Sequence, residues 1–103
     1  MNKKRKLKIK AIIEMIRKTI ARNEYSQDAI DTIIALIDQV KDEEDYSYNN
    51  IPENLQFSTR AEQSYDAIMS LEDAMYCMED LDNEDDEHKK RMLLDAIDHL
   101  NTI

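Results

Sequence analysis

The architecture of this chain is dictated by residues 26–45, which read SQDAIDTIIALIDQVKDEED. Apolar side chains recur every three or four residues in this stretch, at Ile30, Ile33, Ile34, Ile37 and Val40. This spacing places them along one side of an α-helix. Ser26 is a suitable N-cap, and Asp28 lies in the first turn, where a carboxylate interacts favourably with the helix dipole. We therefore predict an amphipathic helix over residues 27–45.

A second amphipathic helix is predicted over residues 59–82, with Ser58 as its N-cap. Its apolar positions follow the spacing of a coiled-coil seam, which neighbouring tyrosine and methionine side chains widen. This seam consists of Tyr65, Ile68, Met69, Leu71, Met75, Tyr76 and Met78. Residues 46–56 contain the only proline and a polar run, so they are predicted to be the connecting loop. The two helices should form an antiparallel hairpin over residues 27–82.

Two further amphipathic segments flank the hairpin. The apolar positions of residues 1–22 are Ile9, Ile12, Ile13, Ile16 and Ile20. Those of the C-terminal helix, predicted over residues 84–101, are Met92, Leu93, Ala96, Ile97 and Leu100, with Ile103 just beyond. Each set occupies one side of a helix, so each flanking helix can pack on the hairpin.

Residues 59–101 allow two interpretations. No apolar residue lies between Leu81 and Met92, and Asn83 followed by acidic residues is typical of an N-cap, which favours a break near Asn83. The apolar stripes on either side of that gap nevertheless keep the same phase. A single helix over residues 59–101 would also explain this, and it would have to protrude and pair with another copy.

The composition supports a helical fold. The chain has 103 residues, no glycine and one proline, so tight hairpins and phosphate-binding loops that need positive φ are disfavoured. Nucleotide-binding loops of the glycine-rich kinds and most all-β folds are thereby excluded. The length suits one domain. We predict a single all-α domain over residues 1–103, a small helical bundle built on the hairpin.

Charge is distributed unevenly along the chain. Residues 1–22 contain nine basic side chains and one acidic side chain, a net charge of +8, whereas the rest contains five basic and twenty-two acidic side chains, a net charge of −17. Such asymmetry indicates a charged partner or a second copy of the chain. The basic N-terminal arm comprises Lys3, Lys4, Arg5, Lys6, Lys8 and Lys10.

Residues 51–60 read IPENLQFSTR and resemble a motif of small acidic helical proteins encoded by phages and mobile elements of Gram-positive bacteria. Matching positions are Pro52, Glu53, Asn54, Leu55, Gln56, Ser58 and Arg60, within a similarity that covers roughly residues 30–81. The resemblance implies an origin in mobile DNA and no particular chemistry. Physically, Pro52 restricts the backbone and Ser58 can cap the next helix, so the motif is first of all a helix connector.

No residue pattern indicates an enzyme, a metal site or a cofactor. Asp82, Glu84 and Asp86 match the start of a calcium-binding loop, but Glu87 and Leu93 replace its required glycine and glutamate. Cys77 lies inside a predicted helix without a histidine nearby in sequence, and it cannot form an internal disulfide. With no signal segment or membrane span evident, we expect a cytoplasmic protein of a bacterial host cell.

The acidic helices carry the main functional hypothesis. Their carboxylates could imitate the charge spacing of DNA and occupy the nucleic-acid-binding site of a basic protein, for example a host defence nuclease, as an anti-CRISPR-like inhibitor would. The residues predicted to bind such a partner are Asp42, Glu43, Glu44, Asp45, Glu72, Asp73, Glu79, Asp80, Glu84, Asp85, Asp86 and Glu87.

The sequence also allows three alternatives. The basic arm could bind nucleic acid directly, although no aromatic residue interleaves with its lysines. It could instead meet a phosphate in an oligomeric small-ligand or nucleotide-binding protein. The arm could also dock on the acidic side of another copy, while the wide seam is buried between copies, so we expect a homodimer or small oligomer.

Overall fold

The computed structural model spans residues 1–103 and consists of four α-helices without any strand. The helices are α1 (Lys3–Ala21), α2 (Gln27–Asn49), α3 (Thr59–Cys77) and α4 (Asp86–Asn101), and a short 3₁₀ turn covers Glu53–Leu55. The predicted all-α fold class is confirmed.

The helices form an up-and-down bundle of 48 × 22 × 19 Å. Each packs against the helices before and after it, and α1 also packs against α4, which closes the bundle. One end holds the α1–α2 and α3–α4 loops. The other end, which we call the hairpin end, holds the α2–α3 connection, the start of α1 and the end of α4.

The core is a single apolar cluster to which all four helices contribute. Its most buried side chains include Ile16, Ile37, Leu71 and Leu93, none of which retains accessible surface. These residues belong to the four apolar stripes read from the sequence. Burial of those stripes is the main force that holds helices of this length together, since isolated helices are marginal in water.

The starts of α2 and α3 are capped as the sequence indicates. Ser26 accepts a hydrogen bond from the Ala29 amide, and Ser58 accepts one from the Ala61 amide. The chain does break between α3 and α4, so the continuous helix over residues 59–101 is wrong. The cap of α4 is Asp85 rather than Asn83, because its carboxylate accepts from the His88 amide and leaves Asp86 and Glu87 in the first turn.

Two predicted boundaries of the hairpin are also wrong. Helix α2 continues one turn past Asp45 to Asn49, and α3 ends at Cys77 rather than near residue 82. The extra turn of α2 is held by tertiary contacts, since Ser47 accepts a hydrogen bond from Arg5 and the Tyr48 ring packs against Tyr65. Local sequence preference favoured a loop there, and packing overrides it.

A chain without glycine must place other residues in the left-handed region. Only Asn23, with φ of 51°, and Asp80, with φ of 57°, adopt positive φ. At the end of α1 the Asn23 amide donates to the Ile20 carbonyl and the Glu24 amide donates to the Thr19 carbonyl, both at 3.1 Å. This pair of bonds is a Schellman motif, in which the left-handed residue closes the helix.

Asn23→Ala is expected to lower the free energy of unfolding by about 1 kcal/mol, whereas Asn23→Gly should be neutral or slightly stabilising. The reason is that the Cβ atom of alanine is sterically unfavourable at positive φ, whereas glycine has no Cβ atom. Urea unfolding followed by circular dichroism measures both, with Arg22→Ala, at a φ of −92°, as the control. Equal losses for the two Asn23 variants would contradict this explanation, because the side chain and not the backbone angle would then matter.

Candidate protein-interaction surface

Helices α2 and α3 share an outer surface that we call the α2–α3 face. Ion pairs show that the two helices present their side chains to the same surface: Lys41 Nζ lies 3.1 Å from Asp45 on α2 and 3.6 Å from Glu72 on α3. The hydrogen bond to Asp45 raises the pKa of Lys41. The face is defined by Lys41, Asp42, Asp45, Tyr65, Met69, Glu72, Asp73, Tyr76 and Glu79.

An apolar stripe runs along the α3 side of this face. Tyr65, Met69 and Tyr76 are 51%, 39% and 78% exposed, and with Glu72 they follow the i, i+4, i+7, i+11 spacing of one side of a helix. Exposed aromatic side chains are unusual on a charged helix and are enriched at protein interfaces. The stripe is therefore the part of the face best suited to contact another molecule.

The wide seam predicted for α3 is partly buried and partly exposed. Ile68, Leu71 and Met78 are buried in the bundle core, and Met75 is half-buried against it. Tyr65, Met69 and Tyr76 alone remain at the surface. The expectation that the whole seam is free to be buried between copies is thus wrong, because α2 and α4 already cover most of it.

Carboxylates dominate the charge of the α2–α3 face. Asp42, Asp73 and Glu79 are exposed and form no ion pair within the chain. Asp80, in the turn after α3, is also exposed. Lys41 is the single base of the face, and it is already shared between Asp45 and Glu72. The surface thus presents a net negative charge to solvent around an apolar stripe.

The acidic residues at the start of α4 lie elsewhere. Glu84, Asp85, Asp86 and Glu87 are exposed at the end of the bundle that holds the α1–α2 loop. Burial raises the pKa of Tyr25 in that loop, and the charges of Asp86 and Glu87 raise it further. The predicted acidic residues therefore extend beyond the α2–α3 face to this end of the bundle, and the face is the part that includes the exposed rings of Tyr65 and Tyr76.

Glu44 is not part of any exposed surface, which corrects its assignment as a partner-binding residue. It is 1% exposed, accepts a hydrogen bond from Arg5 Nε at 2.8 Å, and accepts another from the Ser64 hydroxyl. The Met1 amino nitrogen lies 3.8 Å from the same carboxylate. Glu44 therefore links α1, α2 and α3 from the inside of the bundle.

Glu43, its neighbour, is half-buried and binds Lys8 Nζ at 2.6 Å. That hydrogen bond lowers the pKa of Glu43. Two of the acidic residues assigned to a partner are thus already occupied by side chains of α1.

The basic N-terminal segment is a helix and not a free arm. Residues 3–10 lie within α1, whose isoleucines at positions 9 and 12 are buried in the core. Arg5 and Lys8 bind the acidic end of α2 in the same chain. The remaining bases of this segment, Lys3, Lys4, Lys6 and Lys10, are exposed on the bundle surface.

The remaining candidate groups named from the sequence are Cys77 and the possible metal ligands. Burial raises the pKa of the Cys77 thiol, and the charges of Asp95 and Asp73 raise it further. No three His, Cys, Asp or Glu side chains are grouped so as to hold a metal ion. None of the four helices combines the length and the apolar character that crossing a bilayer requires.

Comparison with protein-family models, with curated proteins and with solved structures gives no match for this chain.

Proposed function

We propose that this protein is a non-enzymatic binding module whose α2–α3 face binds a basic surface on another protein. The observation that carries the proposal is the apolar stripe of Tyr65, Met69 and Tyr76. It is set among exposed carboxylates, of which Asp42, Asp73 and Glu79 form no ion pair within the chain. Aromatic anchors supply most of the binding free energy in typical interfaces, and surrounding charges steer the partner and select it. Both elements are present on this face.

A nucleic-acid-binding channel is the kind of partner surface that this face suits. Such channels are rich in lysine and arginine, and they also present flat or apolar groups on which bases stack. Exposed carboxylates can replace phosphates there, and the tyrosines can replace bases. Together with the motif that resembles proteins of phages and mobile elements, this supports an anti-defence role, in which the protein blocks a host nuclease.

The proposal is tested with two matched baits. In the face variant, Asp42→Lys, Asp73→Lys and Glu79→Lys reverse three exposed carboxylates that form no internal ion pair. In the control variant, Glu24→Lys, Glu87→Lys and Asp98→Lys produce the same change in net charge away from the face, again at exposed positions. Proteins that the wild-type chain and the control variant retain from a lysate of a Gram-positive bacterium are identified and purified.

The purified partner is then tested for release of labelled DNA. We expect the wild-type chain and the control variant to displace the DNA, and the face variant to be weaker by about 100-fold or more, because each reversed charge now repels the basic site. In the absence of DNA, direct binding of the chain to the purified partner should weaken as salt is raised. A partner that binds the face variant equally well would contradict the role of the face, and one that binds without displacing DNA would contradict the inhibitor role.

Self-association is proposed only through the exposed part of the seam. Two copies could pair about the stripe of Tyr65, Met69 and Tyr76, and the basic exterior of α1 would add attraction to an acidic surface of a second copy. Light scattering at low salt measures this. A monomer at high protein concentration would remove the dimer and leave the proposed partner interaction intact.

A further inference from the structure

At the hairpin end, a polar pocket of about 260 Å³ lies between α1, α2 and α3. We call it the Arg5–Arg60 pocket. Among the residues that line it are Arg5, Glu44, Ser47, Arg60, Gln63 and Ser64. Two of the five arginines of the chain are found here, although the chain as a whole carries a net charge of −9. Arg60 is also the last residue of the IPENLQFSTR connector.

Arg5 lines this pocket and is held in place by two side-chain hydrogen bonds. Its Nε donates to Glu44 at 2.8 Å and its Nη2 donates to Ser47 at 3.1 Å, while Nη1 donates to no protein atom. Since no buried polar side-chain atom of the protein lacks a partner, this Nη1 is in contact with solvent, and Arg5 is one of the residues that line the pocket. A fixed guanidinium with a free edge is a preorganised donor for an oxyanion.

Arg60 supplies a second positive charge, and nothing in the chain neutralises it. It is exposed in the first turn of α3 and forms no ion pair and no hydrogen bond through its side chain. The one carboxylate of the pocket, Glu44, is buried and already bound by Arg5 and Ser64. The pocket therefore has a net positive charge, with the Gln63 amide and the Ser47 hydroxyl as further donors.

A second, more apolar pocket of about 310 Å³ adjoins the first. Tyr46, Pro52 and Leu55 line it, and it shares Ser47, Ile51 and Arg60 with the Arg5–Arg60 pocket. A ligand whose charged group lies between the two arginines can therefore place an attached ring against the apolar wall. The shared position of Arg60 makes it the residue that contacts both parts of such a ligand.

We propose that the Arg5–Arg60 pocket binds the phosphate of a small phosphate monoester, and that the adjoining pocket holds its aromatic or apolar body. Phosphate fits better than carboxylate because it offers three acceptor oxygens to two guanidiniums, an amide and a hydroxyl, and because the net positive charge of the pocket attracts its higher negative charge more strongly. This site lies outside the α2–α3 face and is independent of the proposed partner.

The test is an NMR titration of the isotope-labelled full chain. The probes are inorganic phosphate, phenyl phosphate, a nucleoside 5′-monophosphate and the same nucleoside without phosphate. We expect saturable shifts of the Ser47, Ile51 and Ser64 amides with both monoesters, weaker binding of inorganic phosphate, and none of the nucleoside. The comparison of phenyl phosphate with the nucleotide shows whether the body is recognised as a nucleoside or simply as an aromatic ring.

Three variants test the phosphate-binding pocket and the adjoining apolar pocket separately. Arg60→Gln should weaken every phosphate probe by about tenfold or more, since a hydrogen bond to a charged group is lost. Arg91→Gln removes an exposed arginine of α4 and should change nothing. Tyr46→Ala should weaken the monoesters and leave inorganic phosphate unchanged.

Each of the two pockets has a result that would contradict its proposed role. Absence of saturable binding, or binding that Arg60→Gln and Arg91→Gln affect equally, would overturn the phosphate site. Monoester affinities that equal that of inorganic phosphate and ignore Tyr46→Ala would overturn the adjoining pocket as part of it.

Discussion

Glu44→Ala is expected to lower the free energy of unfolding by about 3 to 5 kcal/mol, which is much of the stability of a domain of this size. Glu44 is 1% exposed, and it binds Arg5 of α1 and Ser64 of α3 from its own position on α2. Its removal leaves the Arg5 guanidinium partly buried beside a cavity, without a counter-ion. The cost arises from that uncompensated charge and not only from the lost bonds.

Urea unfolding followed by circular dichroism measures this loss. Glu43→Ala is the matched control, because it removes the adjacent carboxylate and its bond to Lys8 at a half-exposed site, where a pair contributes about 1 kcal/mol or less. Similar losses for the two variants would contradict the special role of the buried carboxylate.

A compensated variant separates stability from function at the hairpin end. Combining Glu44→Leu with Arg5→Met replaces the buried pair by apolar groups of similar size, and such replacements are often neutral or stabilising. We expect this double variant to recover most of the stability that Glu44→Ala loses. It should nevertheless fail to bind a phosphate monoester, because the fixed guanidinium is gone.

The periodic part of the fold was predictable from the sequence because one physical rule governs it. Ile9, Ile30, Leu71 and Leu93 each belong to a stripe that repeats at helical spacing, and each is buried. Ser26 and Ser58 also act as caps, since a hydroxyl followed by a helical pattern satisfies orphan amides wherever the helix lies. These features depend only on neighbours within the same helix.

The pairing of Glu44 with Arg5 was not predicted, because 39 residues separate them and their charges read as parts of solvated runs. A signal was present, however. Glu44 continues the stripe of Ile37 and Val40 at i+7 and i+4, and Arg5 precedes Ile9 by four residues, so each charged residue extends an apolar side of its helix. A buried ion pair is therefore indicated when two residues of opposite charge each continue the apolar stripe of their own helix. The number of charged residues nearby in the sequence is a poorer guide.

The division of the α3 seam could not be read from the sequence for a different reason. The pattern shows that a wide side of α3 is apolar, but the width that neighbouring helices cover depends on where α2 and α4 pack. The bundle buries Ile68, Leu71 and Met78 and leaves Tyr65 and Tyr76 at the edge. The same uncertainty applies to helix ends, where Asp85 and not Asn83 became the cap of α4.

Leu71→Ala is expected to lower the free energy of unfolding by about 2 to 5 kcal/mol, because Leu71 has no accessible surface and its truncation leaves a cavity in the core. Tyr76→Ala, five residues further along α3, should change stability by about 0.5 kcal/mol or less, since the ring is 78% exposed. Calorimetric unfolding of both variants checks the difference.

For binding the order should reverse: a tyrosine anchor contributes about 2 kcal/mol or more to an interface, so Tyr76→Ala should weaken the partner complex while the fold remains intact. The two residues lie on the same helix. A loss of stability with Leu71→Ala alone, together with a loss of partner binding with Tyr76→Ala, would therefore distinguish the buried part of the seam from the part that binds the partner. Loss of stability with Tyr76→Ala, or full partner affinity in that variant, would contradict this division.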